Sequence, residues 1–215
     1  MKKRYSIFVL TSLLFYTASY GQVKMRAITS FDYSYGVPSG DLHSFISDKA
    51  FDGAQLQYRF FVQRNLTLGI RTGWNCFKEK VSRAVYDTDK GTVSAVQLRY
   101  FHTVPVLLTG HYYLRSLHYV MPYIGAGVGG YWSKYEKWFG VVPVKKDKIN
   151  FGVCPEAGVI IPFKNSGLGL IFSGKFNKVF YSYREIKNLN YFEAAAGIYF
   201  GYPMFEKPVP VQSVY

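Results

Sequence analysis

Past Gln22 the chain alternates. Apolar and polar residues change places with a period of two, and no apolar run approaches the ~20 residues of a spanning helix. In Leu66–Phe77 the alternation puts Leu66, Leu68, Ile70, Thr72 and Trp74 on one face and Thr67, Gly69, Arg71, Gly73 and Asn75 on the other. Gly53–Val62 gives Ala54, Leu56, Tyr58 and Phe60 against Gln55, Gln57 and Arg59. Asn150–Phe163 gives Val153, Pro155, Ala157, Val159 and Ile161 against Gly152, Cys154, Glu156 and Gly158. Gly167–Tyr181 and Tyr191–Tyr202 behave alike, with Lys175 and Glu193 on their polar faces. Successive side chains of a strand point to opposite faces, so each segment is a strand with two unlike sides.

The polar side decides which way the sheet faces. It mixes glycine with Arg59, Arg71, Arg99, Glu156, Lys175 and Glu193. A water-soluble barrel would hide its apolar side and show these charges to solvent. On a lipid-facing side, each Arg or Lys would cost roughly 2–4 kcal/mol at the bilayer midplane. The continuous apolar side therefore faces lipid and the charged side faces a lumen. Charges in so narrow a space must be paired, and the glycines fit a barrel just wide enough for side chains to fill it. The expected lumen is a structural plug of salt bridges among those six residues, in preference to a gated pore.

Strands are read at Met25–Tyr35, Gly53–Val62, Leu66–Phe77, Thr92–Leu114, Tyr119–Glu136, Asn150–Phe163, Gly167–Tyr181 and Tyr191–Tyr202. Their connections alternate. Gln63–Asn65, Arg115–His118 and Lys164–Ser166 are tight turns; Gly36–Asp52, Lys78–Gly91, Lys137–Ile149 and Ser182–Asn190 are long polar loops. Short turns at one rim and long loops at the other mark a transmembrane barrel. The fold class is thus all-β: an eight-stranded antiparallel up-and-down transmembrane β-barrel with a polar, plugged lumen. Its exterior should carry two aromatic girdles, with Tyr33, Tyr35, Trp74 and Trp132 at the outer rim and Phe60, Tyr112, Phe163, Phe200 and Tyr202 at the periplasmic one. His102 falls on the outer face of the fourth strand, and its placement predicts a bulge near Tyr100–His102. Pro105 and Pro122 each remove a ladder donor and predict local irregularity.

Residues 1–21 read as a signal peptide. Lys2, Lys3 and Arg4 precede the apolar stretch Ile7–Tyr16, and Ser19 and Gly21 suit cleavage before Gln22. With those three cations gone, the formal charge falls from +13 to +10. Residues 22–202 form the barrel domain, and 203–215 a periplasmic tail containing Pro208-Val209-Pro210.

Three short stretches carry a resemblance: Phe101-His102-Thr103-Val104-Pro105-Val106-Leu107-Leu108, the glycine-alternating Pro122–Gly129, and Pro155-Glu156-Ala157-Gly158-Val159. In order and spacing they resemble the outer-membrane-protein β-barrel domain family of small eight-stranded barrels. The resemblance implies an outer-membrane location and, as in most members, no enzymatic activity. Gly197, Phe200 and Tyr202 resemble the terminal signal read by the barrel-assembly machinery, from which the tail departs.

Other chemistry finds little support. Some barrels of this size modify lipid A with His, Ser and Asp at the outer rim. Asp41, His43 and Ser44 supply those residue types without a defined geometry. His102, His111 and His118 lack a second ligand set at metal spacing, so no metal and no cofactor is expected. Cys76 points outward and Cys154 inward on non-neighbouring strands, so both are expected free. The basic loops match lipopolysaccharide phosphates, and no motif for nucleic acid is present. The sequence thus supports an envelope-structural or surface-interaction barrel acting through four loops. A lipid-A-modifying enzyme and a secretion-system accessory barrel resembling PorT-type proteins are the alternatives.

Overall fold

A computed structural model describes residues 27–88, 91–114, 120–139, 142–163, 166–183 and 186–201. The leader, Met25, the turn Arg115–His118, Tyr202 and the tail lie outside these residues. The described chain forms β1 (Ala27–Ser39), α1 (Asp41–Phe45), β2 (Ala50–Gln63), β3 (Leu66–Thr88), β4 (Gly91–Tyr113), β5 (Met121–Phe139), β6 (Val142–Pro162), β7 (Leu168–Val179) and β8 (Leu189–Gly201). The strands are antiparallel and each pairs with its sequence neighbour. β1 closes the ring on β8, from Ile28–Gly201 to Ser39–Asn190. Closure leaves no unpaired edge in the wall, the condition a sheet must meet in lipid.

The strand faces fall as the alternation predicts. Ile70, Leu108, Phe31 and Phe192 stand more than half exposed on the outside, while Thr67, Arg71, Glu156 and Lys175 are buried inside. Inward glycines make room for large inward neighbours. Tyr123 of β5 lies opposite Gly158 of β6, where an added Cβ would come within 2.6 Å of the phenol oxygen. Likewise a Cβ on Gly152 would sit 2.6 Å from the ring of Tyr131. Small and large residues interlock across the ladder and the interior fills.

Two sequence expectations are corrected. The segments Lys78–Gly91 and Lys137–Ile149, read as polar loops, are mostly strand: β3 and β4 pair out to Thr88–Gly91, and β5 and β6 to Phe139–Val142. Beyond the bilayer neither face of a strand meets lipid, so the apolar–polar contrast that marks a strand fades while the pairing continues. The bulge expected at Tyr100–His102 is also displaced. Register is continuous there on both sides of β4, and the shift falls in β3 between Val81 and Ala84. Pro105 leaves a lighter mark. The β3–β4 pairing passes from Thr72–Val106 to Asn75–Thr103 without a change of register, and the proline, which has no N–H, lies in that interval.

Candidate functional site

The lumen is layered. Nearest the periplasm, Ile28, Tyr113, Tyr123, Ile160, Ile171 and Tyr199 form an apolar layer. Toward the outer mouth lies a larger one, in which Phe77, Phe101, Tyr131, Tyr135 and Tyr191 pack beneath Leu42 and Phe45 of α1. The charges are held between them.

Glu156 is the hub of that middle layer. Its Oε1 accepts from Arg59 Nη2 at 3.0 Å and from the Tyr123 hydroxyl at 2.8 Å, and its Oε2 accepts from Arg71 Nη1 at 2.5 Å. Arg59 also donates to Gln57 and the Tyr113 hydroxyl, and Arg71 to the Cys154 sulfur at 2.8 Å. Glu193 forms a second centre. Gln55, Asn75 and Asn177 donate to it, and Lys175 Nζ stands 3.5 Å from its Oε1. Lys175 donates to Gln55 Oε1 at 2.5 Å, which joins the network along the β2 side.

Lys175 and Glu156 are direct ladder partners, yet the ion pairs run elsewhere: Glu156 reaches across the lumen to β2 and β3, and Lys175 turns to Gln55 and Glu193. Two guanidinium groups long enough to cross a narrow barrel take one carboxylate oxygen each, so both oxygens are satisfied without the adjacent ammonium. Arg99 does not join this layer. It lies farther out along β4, at the mouth, where its Nη1 donates to the Phe45 carbonyl at 2.7 Å and pairs with its ladder neighbour Glu79 at 3.4 Å. One participant escaped the sequence reading. Asp32 is buried on the inner face of β1 and accepts from Ser30. Sorting β1 by parity would have found it, since Ser30, Asp32 and Ser34 alternate with Phe31, Tyr33 and Tyr35. With Asp32 the middle layer holds three cations (Arg59, Arg71, Lys175) against three carboxylates (Asp32, Glu156, Glu193), and its formal charge cancels.

The mouth is tied shut by backbone contacts. Gly40, at φ 58, turns the chain into α1. Asp41 then accepts from the backbone N–H groups of Lys187 and Asn188 at 3.1 and 3.0 Å, fastening the first loop to the fourth. Asp41 is thus committed to those two amides, while His43 and Ser44 point into solvent. Among the described residues no three His, Cys, Asp or Glu side chains are grouped as metal ligands. Cys76 and Cys154 are both free thiols.

On the exterior, Tyr33, Trp74 and Trp132 mark the outer rim and Tyr112, Phe163 and Phe200 the periplasmic one, with an apolar belt between them. A belt of this kind is stable against lipid and not against water, so the barrel is a transmembrane one. Outside the bilayer, Lys78 pairs with Asp52 at 2.6 Å and Lys134 with Glu136 at 2.5 Å. Burial raises the Glu136 carboxyl, but hydrogen bonds from Lys134 and Trp138 outweigh it and hold the group below the usual carboxylate range.

No family model matches the chain, and no curated protein does. Solved structures do. The crystal structure of Neisserial surface protein A aligns over 82% of this chain and 97% of its own, with 13% identity and a TM-score of 0.56. The outer membrane protein AlkL aligns over 89% and 96%, with 18% identity and a TM-score of 0.45. Ail, the attachment invasion locus protein of Yersinia pestis, aligns over 83% and 97%, with 10% identity and a TM-score of 0.46. The fold is that of the small bacterial outer-membrane barrels.

Proposed function

We propose that this chain is an integral outer-membrane protein without enzymatic activity, whose barrel is a sealed anchor and whose role is envelope structure or surface interaction. The observation that carries the reading is the charge-balanced lumen, packed between two apolar layers and covered by α1. A sealed barrel offers no route for a solute, which leaves the exterior and the outer strands as the working surfaces. The commitment of Asp41 to backbone amides supports this reading over a rim-type catalytic triad. The partners it implies are the outer-membrane lipids around the belt and the barrel-assembly machinery that inserts it. Arg59, Arg71, Glu156, Lys175 and Glu193 serve as the structural network of the plug, and Arg99 serves at its mouth.

The test is fractionation together with gel mobility. The mature chain should sediment with outer membranes and migrate differently on SDS gels before and after boiling, because a closed, hydrogen-bonded wall resists SDS until heated. Recovery from the soluble periplasm would overturn the reading.

A further inference from the structure

A concavity of about 440 Å³ lies on the outside of the wall, across β2 to β5, from the outer girdle outward. Its floor is aromatic. Trp74, His102 and Tyr100 lie nearly parallel, with ring centroids 6.1 and 6.3 Å apart and planes within 17° and 10°. Trp138 closes the top. Its indole N–H donates to Glu136, and Lys145 Nζ stands 4.5 Å from its ring centroid. Polar groups stand around these rings. Asp52 and Lys78 border one side and Glu136 the other, and Lys134 reaches Glu136 from the girdle side.

Three features decide what fits. The site opens outward from the wall, so its occupant comes from the membrane plane. It begins at Trp74, in the outer girdle, and extends outward to Trp138, so it meets headgroups and not acyl chains. It offers flat ring faces with carboxylates and ammonium groups at their edges. Ring faces stack on the apolar faces of sugars, carboxylates accept sugar hydroxyls, and lysines take a phosphate as point charges. A phosphatidylethanolamine or phosphatidylcholine headgroup has no sugar face to stack on the rings, and its ammonium would meet Lys78 and Lys145.

We propose that this groove binds the phosphorylated saccharide headgroup of an outer-leaflet glycolipid. Trp74, His102, Tyr100 and Trp138 hold the sugar, and Lys78 and Lys145, on opposite sides of the groove, each meet a phosphate. The proposal rests on the outer-membrane reading above and deepens it by giving the exterior one defined lipid site.

The test uses the full barrel extracted from outer membranes in mild detergent, with lipid A as the probe. Lipids carried through purification are quantified by mass spectrometry, and lipid A binding is titrated with the barrel in phosphatidylcholine nanodiscs. Tyr100→Ala with Trp138→Ala should lower retained lipid A about fivefold, equivalent to roughly 1 kcal/mol, and leave phospholipid unchanged. Lys78→Gln with Lys145→Gln, which keeps the rings, should weaken binding and flatten its salt dependence. Unchanged lipid A in both double variants, or an equal loss of lipid A and phospholipid, would overturn the proposal. Both variants should keep the heat-induced gel shift, which reports the barrel and not the groove. A wild-type protein without that shift would instead overturn the outer-membrane reading.

Discussion

The lumen hub concentrates its cost in one side chain. Two buried guanidinium groups depend on Glu156, so Glu156→Gln leaves both without their anion. Removing one partner of a buried pair costs about 3–5 kcal/mol, and the expected outcome is a large fall in melting temperature in detergent. Adding Arg71→Met should recover part of that loss, and adding Lys175→Met should recover less, because Lys175 is held by Gln55 and Glu193. Thermal melts of the two double variants check this; additive effects for the Arg71 pair would refute the hub. The sequence carried this layer only partly. Alternation placed Arg71, Glu156 and Lys175 inside, but a ladder neighbour is not a bonding partner where side chains can cross the lumen. The outer face is simpler to read. Ile70, 57% exposed to lipid, should cost roughly 2–4 kcal/mol as Ile70→Arg, seen as lost heat-shifted protein. Thr67 is fully buried and packs 3.4 Å from His111, so Thr67→Arg should fail as well, by overpacking, while Thr67→Ser should insert normally.

Strand identity within the bilayer was legible because one face of each strand meets lipid. The parts that escaped, the outer half of β3, the last three residues of β5 and the first eight of β6, lie where that contrast is gone; β4 was legible at its full length. The inner tyrosines escaped for another reason. Tyr131 and Tyr135 look like girdle residues by composition, but their parity against the outward Trp132 turns them inward. The extended β6 raises a problem of its own. Its pairing to β7 ends at Gly152, with one further backbone bond from Phe180 to Phe151, and among the described residues the stretch above presents an edge. Pro143 and the lysines at 145, 146 and 148 occupy that edge, and Lys148 reaches across to the Ser182 carbonyl. Prolines and lysines of this kind keep an exposed edge from pairing with another sheet. Lys146→Val with Lys148→Val should therefore shift the purified barrel toward oligomers, read by light scattering in detergent. A strictly monomeric variant would show that the fourth loop alone guards the edge.

For the whole molecule, the layered lumen predicts silence in a planar bilayer. The barrel should show no stable single-channel current, and a current would refute the sealed interior. Asp41→Ala separates the mouth from the plug. It should release the fourth loop and speed tryptic cleavage at Lys187, yet give no conductance, because the ionic and periplasmic layers lie beneath. The strand lengths carry a different consequence. β1, β2, β7 and β8 have 13, 14, 12 and 13 residues, close to the ~11 that cross a bilayer, whereas β3 to β6 have 23, 23, 19 and 21. The excess of about ten residues raises one half of the rim by up to roughly 30 Å. Seen from outside, the cell surface presents a parapet with a step beside it. A large particle arriving from above touches the crest first, while a small one sliding along the surface reaches the mouth from the low side. The barrel therefore has a front and a back, and neighbours in the membrane plane meet a different protein depending on the side from which they come.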